Sequence, residues 1–158
     1  MVNADLASLI ARLETAPAAL RGALSQIRPG MVEQRTAGDE WSVADVIRHL
    51  RAADAITGTR VFHILVSDDA PLPAFDEVAW ARLLAAGGAA LADQVEAFAL
   101  RRSELVAILR TLDAARWNRA GEHEVRGRMT VAELCEDIAT HEAEHRAQLE
   151  ALIGTMSV

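Results

Sequence analysis

The sequence predicts an all-α fold, an antiparallel four-helix bundle. Three observations lead there. Apolar residues recur at helical spacing in four separate segments, and no segment alternates convincingly with the period of two that marks a strand. The stretches between the segments carry the Pro, Gly and Asp residues that punctuate helices. Four helices in succession without a strand between them make a bundle. The 158 residues are expected to form one domain spanning residues 1–158, long enough to bury a sizeable core.

The first helix carries Leu6, Leu9, Ile10, Leu13, Leu20, Leu24 and Ile27 on one stripe. Pro17 interrupts it and is expected to kink or restart the helix. Pro29-Gly30 is expected to end it, and a polar loop covers Glu33 to Glu40. The second helix opens with Ser42 as N-cap, after Trp41 in the staple position, and buries Val43, Val46, Ile47, Leu50, Val61, Ile64 and Leu65. Residues 67–73 read as a loop. The third helix is expected to be the longest, capped by Asp76, with Leu84, Leu91, Val95, Phe98, Leu105, Leu109 and Leu112 near a heptad register. Gly87-Gly88 loosens an early turn of it. Arg102 falls on the interior stripe; the expected arrangement is a side chain that snorkels to the surface, and the alternative is an inward Arg that binds a carboxylate in the cavity. A longer connection, Ala114 to Arg128, follows. The last helix starts at Thr130, whose capping box is completed by Glu133, and Gly154 is expected to stop it.

Composition narrows the function. Half of the residues are apolar and a quarter charged, which is globular composition. All 16 basic residues are Arg, and the net charge of −7 leaves no basic excess for nucleic-acid phosphates. The single cysteine, Cys135, cannot form an internal disulfide. Met1 to Leu6 carry an acid and no basic stretch, so no signal peptide is expected. No apolar run is long enough to span a bilayer. A soluble cytoplasmic protein, with neither nucleic acid nor membrane as partner, is the expectation.

The chemistry-bearing residues sit on the last helix. Its inward seam reads Val131, Leu134, Ile138, His141, His145, Gln148 and Leu152, in steps of three and four. His141 and His145 therefore share one face, and that face is the one to be buried. Two imidazoles at i and i+4 can close on one metal ion. A third ligand must come from another helix. His49, on the flank of the second helix's core face, is the best candidate; His63 and His123 are alternatives expected at the surface or in a cap. Asp45 and Asp137 precede His49 and His141 by one turn and can orient the rings from behind, and Asp137 can supply a fourth oxygen ligand; the expected arrangement for each is a solvated acid on the helix surface. Glu142 and Glu144 point about 100° away along the helix and are not expected as ligands. Cys135 lies about 120° from His141 and reads as a small buried residue. The run His141-Glu142-Ala143-Glu144-His145 also satisfies the zincin pattern, but no His, Asp or Cys follows to supply its third ligand.

Two blocks resemble the DinB/YfiT-like family of metal-binding four-helix bundles. The first is Glu40-Trp-Ser-Val-Ala-Asp-Val-Ile-Arg-His-Leu50. The second is Gly127-Arg-Met-Thr-Val-Ala-Glu-Leu134, followed by His141-Glu-Ala-Glu-His145 and Gln148-Leu149. Order and spacing agree along nearly the whole chain. The resemblance implies a metal triad of one His from the second helix and a pair from the fourth, which falls on His49, His141 and His145. It implies zinc or nickel as the metal, and a homodimer. Similar proteins include S-transferases that use a low-molecular-weight thiol such as mycothiol, bacillithiol or glutathione. The functional expectation is a metal-dependent enzyme, a thiol-dependent S-transferase or a hydrolase, acting on a small molecule. The alternative is a non-catalytic, stress-associated dimeric bundle.

Overall fold

In a computed structural model, which describes residues 3–35 and 41–156, the chain runs α1 (Asn3–Ser25), a 3-10 turn (Pro29–Met31), α2 (Val43–Val66), β1 (Pro71–Leu72), α3 (Glu77–Ala86), α4 (Leu91–Leu109), α5 (Ala114–Trp117), β2 (Ala120–His123), β3 (Gly127–Thr130) and α6 (Val131–Met156). Of the polar loop expected at 33–40, residues 36–40 lie outside the described residues, and so does Glu40 of the first family-like block.

The fold is mostly helical but not purely so, because a three-stranded sheet in the order β1-β2-β3 closes one end. β1 runs parallel to β2, and β2 antiparallel to β3. Strands of two and four residues are too short to show an apolar alternation, which is why periodicity misses them. Gly121 belongs to this sheet: a Cβ there would stand 2.5 Å from the Ala70 carbonyl oxygen and 2.9 Å from Leu72. Only a residue without a side chain lets β2 approach so closely.

The helix boundaries depart from expectation in instructive ways. α1 continues through Pro17 without restarting and ends at Ser25, four residues before Pro29. The expected third helix is two, α3 and α4, and neither is the longest; α6 is, with 26 residues. Gly87-Gly88 separates them, Gly88 adopting φ +70 where an L side chain is disfavoured. α6 passes Gly154 and runs to Met156. α1 packs chiefly on α4 and α6, and α2 also on α4 and α6, besides α3. α1 and α2, neighbours in sequence, thus stand diagonally in the bundle, which needs the long connections before α2 and before α6.

The start of α6 follows the sequence closely. Thr130 Oγ1 accepts from the Glu133 N–H at 3.1 Å, and Glu133 Oε2 accepts from the Thr130 N–H at 2.8 Å. Thr130→Ala is expected to cost about 1 kcal/mol, read as a lower urea midpoint at unchanged slope, with Thr130→Ser restoring most of it. An unchanged midpoint would mean that β2–β3 pairing alone sets where α6 begins.

The core divides into two apolar clusters. One gathers Leu13, Leu105, Leu134 and Ile138 with the sheet's Leu72 and Met129; the other gathers Leu20, Leu50, Phe98, Leu149 and Leu152. Between them lies Arg102, 1% exposed. It does not snorkel, and the carboxylates it meets are the protein's own. Its Nε and Nη2 donate to Asp54 Oδ1 at 3.0 and 2.7 Å, and its Nη1 donates to the Leu13 carbonyl and to Glu142 Oε2, both at 2.9 Å. Nη2 also donates to Glu142 Oε1. All five guanidinium N–H groups are used, on partners from α1, α2 and α6. Burial raises the Asp54 and Glu142 carboxyls above their ordinary range, against the pull of Arg102.

Candidate metal centre

α2 packs on α6, and this contact brings His49 to His141 and His145. His49 lies two turns into α2, whose start is fixed by a capping box between Ser42 and Asp45. His49 is buried, while His141 and His145 are half-buried. His49 Nε2 stands 2.9 Å from His141 Nε2, and His141 Nε2 stands 3.1 Å from His145 Nε2. One nitrogen of each ring lies within 4.8 Å of the others. Trp41 forms a wall behind them: its ring meets His49 edge-on at 4.9 Å and lies parallel to His145 at 5.8 Å.

His49 and His141 are held in the neutral form that a metal requires. Burial, then the neighbouring imidazoles, pushes His49 down to about 4. Burial, then His145, lowers His141. His145 Nδ1 lies 2.7 Å from Gln148 Oε1. An amide oxygen only accepts, so that contact places a proton on Nδ1; in the tautomer it selects, Nε2 carries the lone pair. Nδ1 of His49 and of His141 are buried without a partner among the described residues. Three neutral imidazoles, one N–H each, cannot satisfy one another through three facing Nε2 atoms. A divalent cation accepts all three lone pairs at once, and imidazole suits zinc and nickel alike. The residues present therefore fit a metal ion.

The other candidates sit elsewhere. Asp45 is occupied by the α2 cap and by Arg35 at 3.0 Å. Asp137 pairs with Arg126. Neither acid touches a ring of the cluster; Gln148 fills that position behind His145. His123 Nδ1 accepts the Val125 and Arg126 N–H groups and so caps the β2–β3 turn. His63 lies near the end of α2, outside the cluster. Cys135 is fully buried, and burial pushes its thiol up to about 12, which removes it as a nucleophile. Glu142 is no ligand, but neither is it a solvated acid, being paired with Arg102.

Two residues escape the sequence reading. Glu77, the first residue of α3, places Oε2 at 3.8 Å from His49 Nε2. Arg60 donates to the Pro73 carbonyl at 2.7 Å and lies over the Phe75 ring; no described carboxylate pairs with it. Both line a cavity of about 340 Å³ with His141, Thr57 and Glu144. Neither belongs to a stripe that periodicity can single out, because α3 contributes only its first turn and Arg60 lies on the edge of α2.

The model of the DinB superfamily matches residues 12–149. Among solved structures, the chain is similar to YfiT from Bacillus subtilis, described as a probable metal-dependent hydrolase with an unusual four-helix bundle topology. The TM-score is 0.88 at 22% identity, covering 99% of this chain and 90% of that one. At that identity the likeness carries the fold. Among curated proteins, none matches in sequence.

Proposed function

The chain belongs to the DinB superfamily, and we propose that it is a metal-dependent hydrolase, as YfiT is described to be, with an ion held by His49, His141 and His145. The observation that carries this reading is the convergence of three Nε2 atoms from two helices, beside a cavity large enough for a small substrate. A divalent ion bound there supplies Lewis acidity toward a water or thiol. The chain's own residues bind and orient: Gln148 fixes the tautomer of His145, and Trp41 closes the far side of the rings. The buried Cys135 offers no thiolate, so thiol chemistry would need a free low-molecular-weight thiol. The metal is zinc or nickel, and the working unit is a cytoplasmic homodimer.

The test is metal analysis after reconstitution with zinc or nickel. The wild type is expected to hold one ion per chain. His145→Ala is expected to lose it, and Gln148→Leu, which removes only the ring's support, to weaken it about 10–100-fold. A wild type without stoichiometric metal, or a His145→Ala variant that retains it, sinks the assignment. Ester hydrolysis without added thiol supports the hydrolase. Stabilisation by mycothiol, bacillithiol or glutathione that disappears on chelation would point instead to an S-transferase.

A further inference from the structure

We propose that Glu77 is a fourth protein ligand of the ion, making the site a three-histidine, one-carboxylate centre in which a water or thiol would take a fifth position; this rests on the three-histidine reading above. Glu77 reaches the cluster from a third element. It opens α3, which packs on α2, and Asp76 fixes that turn by accepting the Ala79 N–H at 2.8 Å. The Glu77 side chain is 35% exposed, and its Oε2 stands 3.8 Å from His49 Nε2. The donor atoms that all lie within 4.8 Å of one another are those of the three histidines; Glu77 meets His49 alone, and its side chain completes the set by turning toward the ion. Two donor atoms each about 2.0–2.2 Å from one ion can stand up to about 4 Å apart, so Glu77 and His49 are already within reach of a shared ion.

The surroundings of the carboxylate point the same way. Among the described residues, no N–H or O–H group donates to Glu77. An acceptor-only group, partly withdrawn from water, thus faces His49 Nε2, and the Arg60 charge in the same cavity offsets its burial without donating to it. Where Nε2 carries the lone pair, two electron-rich atoms turned toward each other gain nothing unless a cation or a proton stands between them. The competing account is a solvated acid in the first turn of a helix, where a negative charge favours the macrodipole. That account explains the position on α3 and leaves the approach to His49 as coincidence.

A carboxylate changes what the site takes. It adds an anionic oxygen to three neutral nitrogens, cancelling one charge of a divalent ion, and oxygen donors favour harder ions than imidazole alone. Glu77→Gln keeps the shape and removes the charge. In the full chain, it is expected to weaken zinc binding at least 10-fold in a chelator competition and to change the visible absorption of the cobalt-loaded protein. Glu104→Gln, which alters an exposed acid on α4 outside that cavity, is expected to change neither. Circular dichroism confirms that both variants are folded. If Glu77→Gln binds zinc as tightly as the wild type, with the same cobalt spectrum, Glu77 is a helix-start acid only. The histidine reading then stands, provided His145→Ala still loses the ion. If His145→Ala keeps it too, both readings fall.

Discussion

Arg102→Met is expected to cost about 3–5 kcal/mol of folding stability, the range for breaking a buried ion pair from one side. The cost does not come from the lost contacts alone. Asp54 and Glu142 are 3% and 7% exposed, and without Arg102 they keep only the weaker pull of Arg101 and Arg12, neither of which hydrogen-bonds to them. They must be protonated or drag water into the layer between the two apolar clusters. The replacement that removes the whole group separates these contributions. Arg102→Met combined with Asp54→Leu and Glu142→Leu is expected to recover most of the loss, because no unpaired charge remains. Arg102→Lys, which keeps a charge but loses the planar five-donor fork, is expected to fall between. Urea unfolding of the four proteins tests this. A loss below about 1 kcal/mol for Arg102→Met would mean that water already solvates the layer. If Arg102→Met does not accumulate folded, Arg102→Lys and the triple variant still decide the matter.

The same layer bears on the cluster of histidines. Glu142 is the next residue after His141, on an adjoining face of α6, and Arg102 ties it to Asp54 on α2. Rotation or sliding of α6 against α2 would stretch that tie together with the contacts between the rings. The clamp therefore fixes the phase at which His141 and His145 meet His49. We expect metal affinity in the Arg102 variants to fall along with stability.

This clamp also marks the limit of what periodicity shows. The seam through His141 and His145 is legible because apolar residues lead into it, and the α6 cap is legible because Thr130 and Glu133 have the types and spacing the cap demands. A second seam, Cys135, Ala139, Glu142, Leu149 and Ile153, advances in steps of four, three, seven and four on the same helix, and all five residues are buried. A lone Glu within it reads as surface on composition. Only the position of Arg102 on its own interior stripe gives the hint that buried acids must answer it. The small sheet and the break at Gly87-Gly88 depend on backbone pairing and a positive φ, which leave little trace in hydrophobic pattern. Glu77 depends on where α3 docks, which is a tertiary fact. The two-block resemblance supplied the third histidine's role more firmly than its helical position did.

The metal-free protein is expected to lose about 3 kcal/mol of stability as the pH falls from about 6.5 to about 4, through His49 alone. In the unfolded chain His49 titrates at its ordinary 6.5; in the fold, burial and the two neighbouring imidazoles hold it down to about 4. Between those values the unfolded chain binds a proton that the folded chain does not, so acid favours unfolding. The stability is complete above about 6.5 and lost progressively toward 4; below that, both states are protonated and the loss stops growing. The raised carboxyls of Asp54 and Glu142 act oppositely, since the fold binds their protons more readily and gains as the pH falls. The difference between wild type and His49→Leu, each measured after chelation at pH 7 and pH 4.5, cancels that background. Wild type is expected to lose more than the variant by most of the 3 kcal/mol. Equal losses would mean that His49 is hydrated in the metal-free fold. With zinc present the curve should steepen, because protons then compete with the ion for the same lone pairs and the stabilisation that binding adds is surrendered over the same interval.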